Sequence, residues 1–320
     1  MTRRLILLGL ALALIVAGAA FLSWTGAGPA PKPLAVVVPE GGTLRSIARE
    51  LEKTGAVASG DRFFILARLL GGGGVLRAGE YEVPRHASAR EILGLLHSGK
   101  TLQRMVTIPE GTPSIVVHEK LMATPLLSGP APVPAEGSVL PDSYSYQRGE
   151  ARTAVLKRMT SAMDKALAEL WPKRKPTAVV RTRQEAVSLA AIVEKETGVA
   201  SERRTVAGVY SNRLRIGMPL QADPTVIYPV TRGKPLGRRI LRSELQADNG
   251  YNTYARPGLP AGPIANPGRA SIAAVLDPAP TKALYFVAKG DGGHVFAETL
   301  AEHNANVAKW YAIRRQRGEM

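Results

Sequence analysis

Two carboxylates close an otherwise apolar helical segment, Ala190-Ala191-Ile192-Val193-Glu194-Lys195-Glu196-Thr197. At about 100° of rotation per helical residue, Leu189, Ile192 and Val193 fall on one arc, with Glu196 near its middle. Glu194 falls on the opposite arc, among Val187, Ala190 and Ala191. A carboxyl group in bulky apolar surroundings loses hydration, so its neutral form is favoured and its pKa rises. A general acid working near neutral pH needs that state. Glu196 is therefore the first candidate for such a role and Glu194 the second. The alternative for Glu196 is a solvated glutamate at a helix end. For Glu194 it is an ion pair with a nearby base such as Lys195 or Arg203.

The elements that must position these groups lie in an exported chain. Met1-Thr2-Arg3-Arg4 precedes an uninterrupted apolar run from Leu5 to Trp24. Such a run can cross a bilayer core of about 30 Å, with Arg3 and Arg4 held on the cytoplasmic side. Its length favours an uncleaved anchor over a signal peptide, although Gly18-Ala19-Ala20 would offer a cleavage site. The chain has no cysteine, which excludes a thiolate nucleophile, a Cys-ligated metal and disulfide staples. Lys and Arg number 42 against 26 Asp and Glu, a net charge of +16. A nucleic-acid partner fits poorly, because the chain is exported and its basic residues are dispersed with few aromatics among them. An anionic envelope polymer or lipid surface fits the charge better.

The remaining length is enough for two domains. A Pro/Gly-rich linker, residues 25–35, follows the anchor (1–24). Val36-Val37-Val38 reads as a strand, and Thr43 as the cap of a helix with apolar positions Leu44, Ile47, Ala48 and Leu51. A second helix is expected over Asp61–Leu70, ended by the Gly71–Gly74 run, then a strand Gly79–Val83 and a helix near Ala89–Leu96. Val106-Thr107-Ile108-Pro109-Glu110-Gly111-Thr112 repeats the strand, Pro-Glu-Gly turn and Thr cap of residues 37–43. Residues 124–138 are Pro-rich and loop-like and mark a boundary between residues 36–123 and residues 139–320. Helices are expected at 150–170, 184–197 and 202–214, then an irregular, Gly/Pro/Asn/Tyr-rich stretch to about Pro267 that suits a binding surface. The end reads as a helix over Ser271–Leu276, strands at Leu284–Ala288 and Val295-Phe296, and a closing helix from Leu300. The fold class is α+β.

Five segments taken together carry a resemblance. They are Leu140-Pro141-Asp142-Ser143-Tyr144, the Ile192–Thr197 segment, Asn212-Arg213-Leu214 through Leu220-Gln221-Ala222-Asp223-Pro224-Thr225-Val226-Ile227-Tyr228, Tyr251-Asn252-Thr253-Tyr254 with Gly258–Gly268, and Tyr285–Ala288 with Gly293–Phe296 and His303-Asn304. In order and spacing they resemble the endolytic murein transglycosylases of the MltG (YceG-like) family. The resemblance implies a transmembrane anchor, a small LysM-like α/β module within residues 36–123 and a C-terminal α+β catalytic domain over 139–320. It implies a single-pass protein of the cytoplasmic (inner) membrane with its N-terminus in the cytoplasm and its catalytic domain in the periplasm. The implied substrate is the peptidoglycan glycan strand, cut inside the chain at the β-1,4 bond after N-acetylmuramic acid, and peptidoglycan synthases are the further partners implied. No cofactor is expected.

Carried over residue by residue, the family's catalytic glutamate falls on Glu196, and Glu196-Thr197 is similar to the Glu-Ser pair of other lytic transglycosylases. Hydrolysis of a glycoside uses two carboxylates about 5–10 Å apart. Asp223 is the best second one, unless it merely bonds its own backbone in an Asp-Pro turn. Asn212, Gln221, Tyr228, Tyr251 and Asn252, with Asp223, suit sugar binding, since amides reach hydroxyls and rings lie against pyranose faces. Each can equally be structural. His294 and His303 lack a third ligand at metal-site spacing, and the Gly71–Gly74 run lacks the Lys-Ser/Thr of a phosphate loop. Besides the transglycosylase, the sequence leaves open a glycan-binding scaffold without catalysis and a water-dependent muramidase.

Overall fold

Local caps and periodicity account for most of the helices. In the computed structural model, which describes residues 2–71 and 73–319, α1 (Thr2–Thr25) is apolar on every side and largely exposed. Its Ile6–Thr25 stretch has a mean hydropathy of 2.6, long and apolar enough to cross a membrane. The chain then divides into two compact units, one up to Arg104 with Ser145–Gly149, the other Met105–Tyr144 with the residues from Glu150 onward. Residues 124–138 therefore lie inside the second unit.

In the first unit, β1 (Leu34–Val38) pairs antiparallel with β2 (Gly79–Val83), with Val36 opposite Tyr81. Helices α2 (Leu44–Lys53), α3 (Gly60–Leu70) and α4 (Ala89–Ser98) complete it. The expected cap is present: the Thr43 side chain accepts from the Ser46 N–H at 3.2 Å. Alternation puts Val36, Val38, Tyr81 and Val83 into one core with Ile47, Leu51, Phe63, Ile92 and Leu96. Gly71 follows α3 as its C-cap; Gly72, within the expected Gly71–Gly74 terminator, lies outside the described residues.

Next in the chain, β3 (Arg104–Thr107) pairs with β4 (Ser143–Tyr146), and α5 (Ser114–Ala123) belongs to the second unit. Here the repeat is imperfect. Thr112 does not cap α5; its hydroxyl donates to the Pro109 carbonyl at 2.6 Å, and the helix starts after Pro113. The Ser114 N–H is instead satisfied by the Glu136 carboxylate at 2.9 Å. Helices α6 (Arg152–Leu170), α7 (Arg183–Glu196) and α8 (Arg203–Arg215) follow.

The stretch expected to be irregular contains α9 (Asp223–Thr231) and α10 (Arg242–Gln246). Pro224 at the start of α9 needs no backbone donor there, so Asp223-Pro224 opens a helix and is not an isolated turn. Then come α11 (Arg269–Leu276), the antiparallel pair β5 (Tyr285–Ala288) and β6 (His294–Ala297), and α12 (Leu300–Gln316), which packs on both strands. The core joins Met163 of α6 to Leu189, Ile192 and Val193 of α7, Val206 and Tyr210 of α8, and Ile272 and Val275 of α11.

Candidate active site

Helix α7 is the central element. Thr182 caps it by accepting from the Glu185 N–H at 3.1 Å, and every residue from Ala186 to Val193 is buried. A helix that is apolar on all sides is stable only inside a core, and α8 and α11 pack against it. It ends at Glu196 because Thr197 is extended (φ −138°, ψ 129°). The Thr197 hydroxyl accepts from the Val199 N–H at 3.0 Å and lies 3.4 Å from Glu202. It is therefore engaged in the turn that follows the helix.

Glu196 itself is half-buried, but its carboxyl group is desolvated, and this pushes its pKa up to about 7. Loss of hydration is the main cause, and the negative charge of Asp223 adds to it. A hydrogen bond from the Tyr210 hydroxyl and the positive Arg213 oppose the rise. Tyr210 is 2% exposed, and its ring meets Phe286 edge-on at 5.8 Å between centroids. Burial holds its hydroxyl well above the ordinary tyrosine range, so it stays a donor. Arg213 is buried and held by backbone carbonyls: Nε donates to Leu284 at 2.6 Å, and Nη1 to Leu220 at 2.7 Å and Pro219 at 3.4 Å.

Glu194 is in a different situation, and the difference does not come from the helical face. Its side chain is only 5% exposed. One oxygen accepts from Arg203 at 3.3 Å and the other from the Gly268 N–H at 2.9 Å. Arg203 also reaches Glu110 at 3.0 Å. The Glu110 carboxylate lies against Gly268, and a Cβ there would force it to swing aside. Glu194 thus ties the end of α7 to the segment before α11.

Asp223 is exposed at the start of α9 and accepts from the Tyr254 hydroxyl at 2.6 Å. The neighbouring Thr253 anchors this corner. Its carbonyl accepts from the Gln221 N–H at 3.1 Å, its hydroxyl accepts from the Ala222 N–H at 3.1 Å, and it pairs with the Thr225 hydroxyl at 2.9 Å. Gln221 sits in the left-handed region (φ 50°) with its side chain exposed beside Asp223. The chain therefore brings Glu196, Asp223, Gln221 and Tyr254 to one locality.

Tyr228 and Tyr251 are half-buried and lie ring to ring at 4.9 Å. The Tyr228 hydroxyl is bonded to Glu136, whose carboxyl is pushed up by burial and pulled back by the Ser114 N–H. A groove of about 530 Å³ lies alongside, lined among others by Gly111, Pro113, Lys195, Pro224 and Ile227. Asn212 and Asn252, of the expected sugar-binding set, have their amide hydrogens engaged by backbone carbonyls, which fits their structural alternative. Asn212 donates to the carbonyls of Thr281 (2.8 Å) and Ala283 (3.1 Å). Asn252 is 3% exposed and donates to Glu244, Leu245 and Ala247, the closest at 2.8 Å.

Tyr210 and Glu136 were not legible as site residues. Arg213 and Tyr254 stood inside quoted segments, but nothing local gave them a role. Among the described residues, no group of three or more His, Asp or Glu could hold a metal ion. His294 Nδ1 is 2.8 Å from Glu202, and His303 stacks on Tyr285 at 5.2 Å. The arrangement can perform acid–base chemistry: one carboxyl is neutral near pH 7, and a second, more exposed carboxyl is placed near it.

The class defined by this site is an α+β protein with a desolvated glutamate at the end of a buried helix. The profile of the YceG-like family matches residues 36–309. The chain belongs to that family. It is 34% identical over 189 residues to the endolytic murein transglycosylase of Bacillus subtilis (strain 168), which covers 58% of this chain and 50% of that one. Its identity to the protein of the same name from Streptococcus pneumoniae (serotype 2, strain D39) is 28% over 327 residues, covering 87% and 58%. The crystal structure of the yceG-like protein lmo1499 from Listeria monocytogenes matches with a TM-score of 0.55 at 25% identity, over 86% of this chain and 98% of that one. The chain spans between half and three fifths of the length of the two curated relatives described.

Proposed function

We propose that the protein is an endolytic lytic transglycosylase of peptidoglycan, with Glu196 as its acid and base. The observation that carries this reading is the Glu196 carboxyl held near pKa 7 at the end of a buried helix. In the proposed reaction Glu196 gives its proton to the glycosidic oxygen after N-acetylmuramic acid as the C1–O bond breaks. The carboxylate then takes the proton of the muramic 6-hydroxyl as that oxygen attacks C1. Glu196 ends protonated, the new end is a 1,6-anhydro sugar, and no water is consumed. Attack from within the substrate is favoured by proximity. Tyr210 donates to the carboxyl and Arg213 adds a nearby positive charge; a strand would lie over Gln221, Asp223, Tyr228 and Tyr251, with the groove beside Lys195 and Pro224 next to them.

The relatives' names support the substrate. Two antiparallel strands with short helices support reading residues 36–99 as a LysM-like module. The Arg3-Arg4 flank and the apolar α1 support a single-pass anchor in the cytoplasmic membrane, with the catalytic unit on the periplasmic side and peptidoglycan synthases as neighbours.

A second reading has its own observation. Tyr254 holds Asp223 near enough to raise Glu196, so Asp223 can serve as the base of a water-dependent muramidase. Digestion of purified glycan in ¹⁸O-labelled water separates the two. The transglycosylase gives anhydro ends without label. Labelled reducing muramic acid would establish the muramidase, and no cleavage at all would leave only the binding scaffold.

A further inference from the structure

Helix α3 is apolar on two opposite faces. Phe63, Leu66 and Ala67 fill the core of the first unit. On the other side Ile65 and Leu69 are 54% and 74% exposed, continued by Leu70 and Val75 at 54% and 82%. Single exposed apolar residues are ordinary; Ile65 and Leu69 lie one turn apart on one stripe, and Leu70, about 140° from Ile65, and Val75 add exposed apolar surface at the C-terminal end of the helix and after it. Arg62 and Arg68, both exposed, flank the Ile65–Leu69 stripe at about 60° on either side of Ile65. Neither has a carboxylate partner among the described residues, and Asp61 is the one carboxylate on the helix.

The position of α3 is tied to the apolar helix α1. Trp24, 5% exposed, packs its ring at 6.3 Å from that of Phe63, and Ala20 packs on the same core. Helix α3 is eleven residues, about 16 Å long. A bilayer spanned by α1 therefore has its surface within reach of α3. An apolar stripe edged by long cationic side chains is the pattern of a helix lying at the headgroup–acyl boundary, where arginines extend toward phosphates. The patch is four side chains, far less than the roughly 800 Å² per partner of a stable protein interface.

We propose that the Ile65–Leu69 stripe, extended at the C-terminal end of α3 by Leu70 and Val75, is a membrane-contact surface that dips into the anionic phospholipid surface of the bilayer holding α1, with Arg62 and Arg68 on lipid phosphates. This rests on the reading of α1 as an anchor. Contact at this face would fix the tilt of the first unit against the membrane.

Because the chain has no cysteine, single cysteines can be labelled uniquely. The full chain is placed in phosphatidylglycerol-containing nanodiscs with a fluorophore at Leu69→Cys, Leu12→Cys or Glu52→Cys, and quenched by lipids spin-labelled near the headgroup or deep in the chain. The expected result is about twofold or greater quenching at position 69 by the shallow quencher, none at 52, and deep quenching at 12. Quenching at 12 with none at 69 overturns the proposal and keeps the anchor. A blue shift at 69 without lipid quenching means that protein covers the face, and also overturns it. Quenching at 69 without quenching at 12 supports the contact and removes the anchor. Absence at both removes both. Replacing phosphatidylglycerol with a neutral lipid should weaken the signal at 69; no change would refute the role of the arginines.

Discussion

Replacing Glu196 with Gln should stabilise the folded protein in alkali and leave it unchanged in acid. The carboxyl titrates at about 7 in the folded chain, against an ordinary 4.5. Below the lower value it is protonated in both states, and burial costs it nothing. Between the two, the folded state holds a proton that the unfolded state releases, so stability falls as pH rises. Above about 7 the loss is complete. A gap of about two and a half units corresponds to at most about 3 kcal/mol.

Gln cannot ionise, keeps the shape of the side chain, and still offers an oxygen to the Tyr210 hydroxyl. For a domain of 150–250 residues, 1 kcal/mol is worth about 2–4 °C in Tm. The variant should therefore melt roughly 6–10 °C above the parent at pH 8.5, and at the same temperature at pH 4.5. Thermal unfolding in detergent, scanned in half-unit steps of pH, measures this directly. A pH-independent difference, or a lower Tm at pH 8.5, would mean that the carboxyl is not desolvated in the native state. The same variant should lose cleavage by about 10²–10⁴-fold, and the parent's kcat/KM should fall as pH rises through 7.

Tyr210→Phe removes the donor that favours the charged carboxyl, so the alkaline limb of kcat/KM should move to higher pH; a fixed limb would deny the hydrogen bond. Asp223→Asn removes the nearby negative charge, and the limb should move the other way. Loss of labelled-water incorporation in that variant would instead identify Asp223 as a hydrolytic base. Glu194→Ala leaves half-buried Arg203 and the Gly268 N–H without this partner, and should destabilise by about 2–4 kcal/mol. Its residual activity should keep the parent's pH profile. A folded Glu194 variant that is inactive while Glu196→Gln turns over normally would exchange the two assignments.

What could be read along the chain depended on interactions within a few residues. The Thr43 cap, the apolar period of α2, the alternation of β1 and the apolar length of α1 and α7 all act over one or two turns. They were therefore visible in order. Other elements depended on partners far away in sequence. Helix α5 resembled α2 in its approach, but its first N–H is satisfied by Glu136, 22 residues on, so Thr112 proved a false cap. Helix α9 lay hidden in a Gly- and Pro-rich stretch, where Thr253, 28 residues later, anchors its start. For Asn212 and Asn252 the sequence left sugar binding and a structural role equally open, and the carbonyls that engage their amides come from segments up to 71 residues away.

The sequence by itself placed two glutamates at the end of an apolar helix and made the one at its last position the first candidate for the acid. Only the tertiary structure decided why. Glu194 is enclosed too, yet Arg203 and the Gly268 N–H, from two other segments, compensate its charge. Glu196 is left with one hydroxyl, a fixed arginine and a neighbouring negative charge. Periodicity can say which groups leave water. The proton affinity of a carboxyl depends on the charges and donors that meet it there, and in this protein those arrive from α8, α9 and the segment before α11.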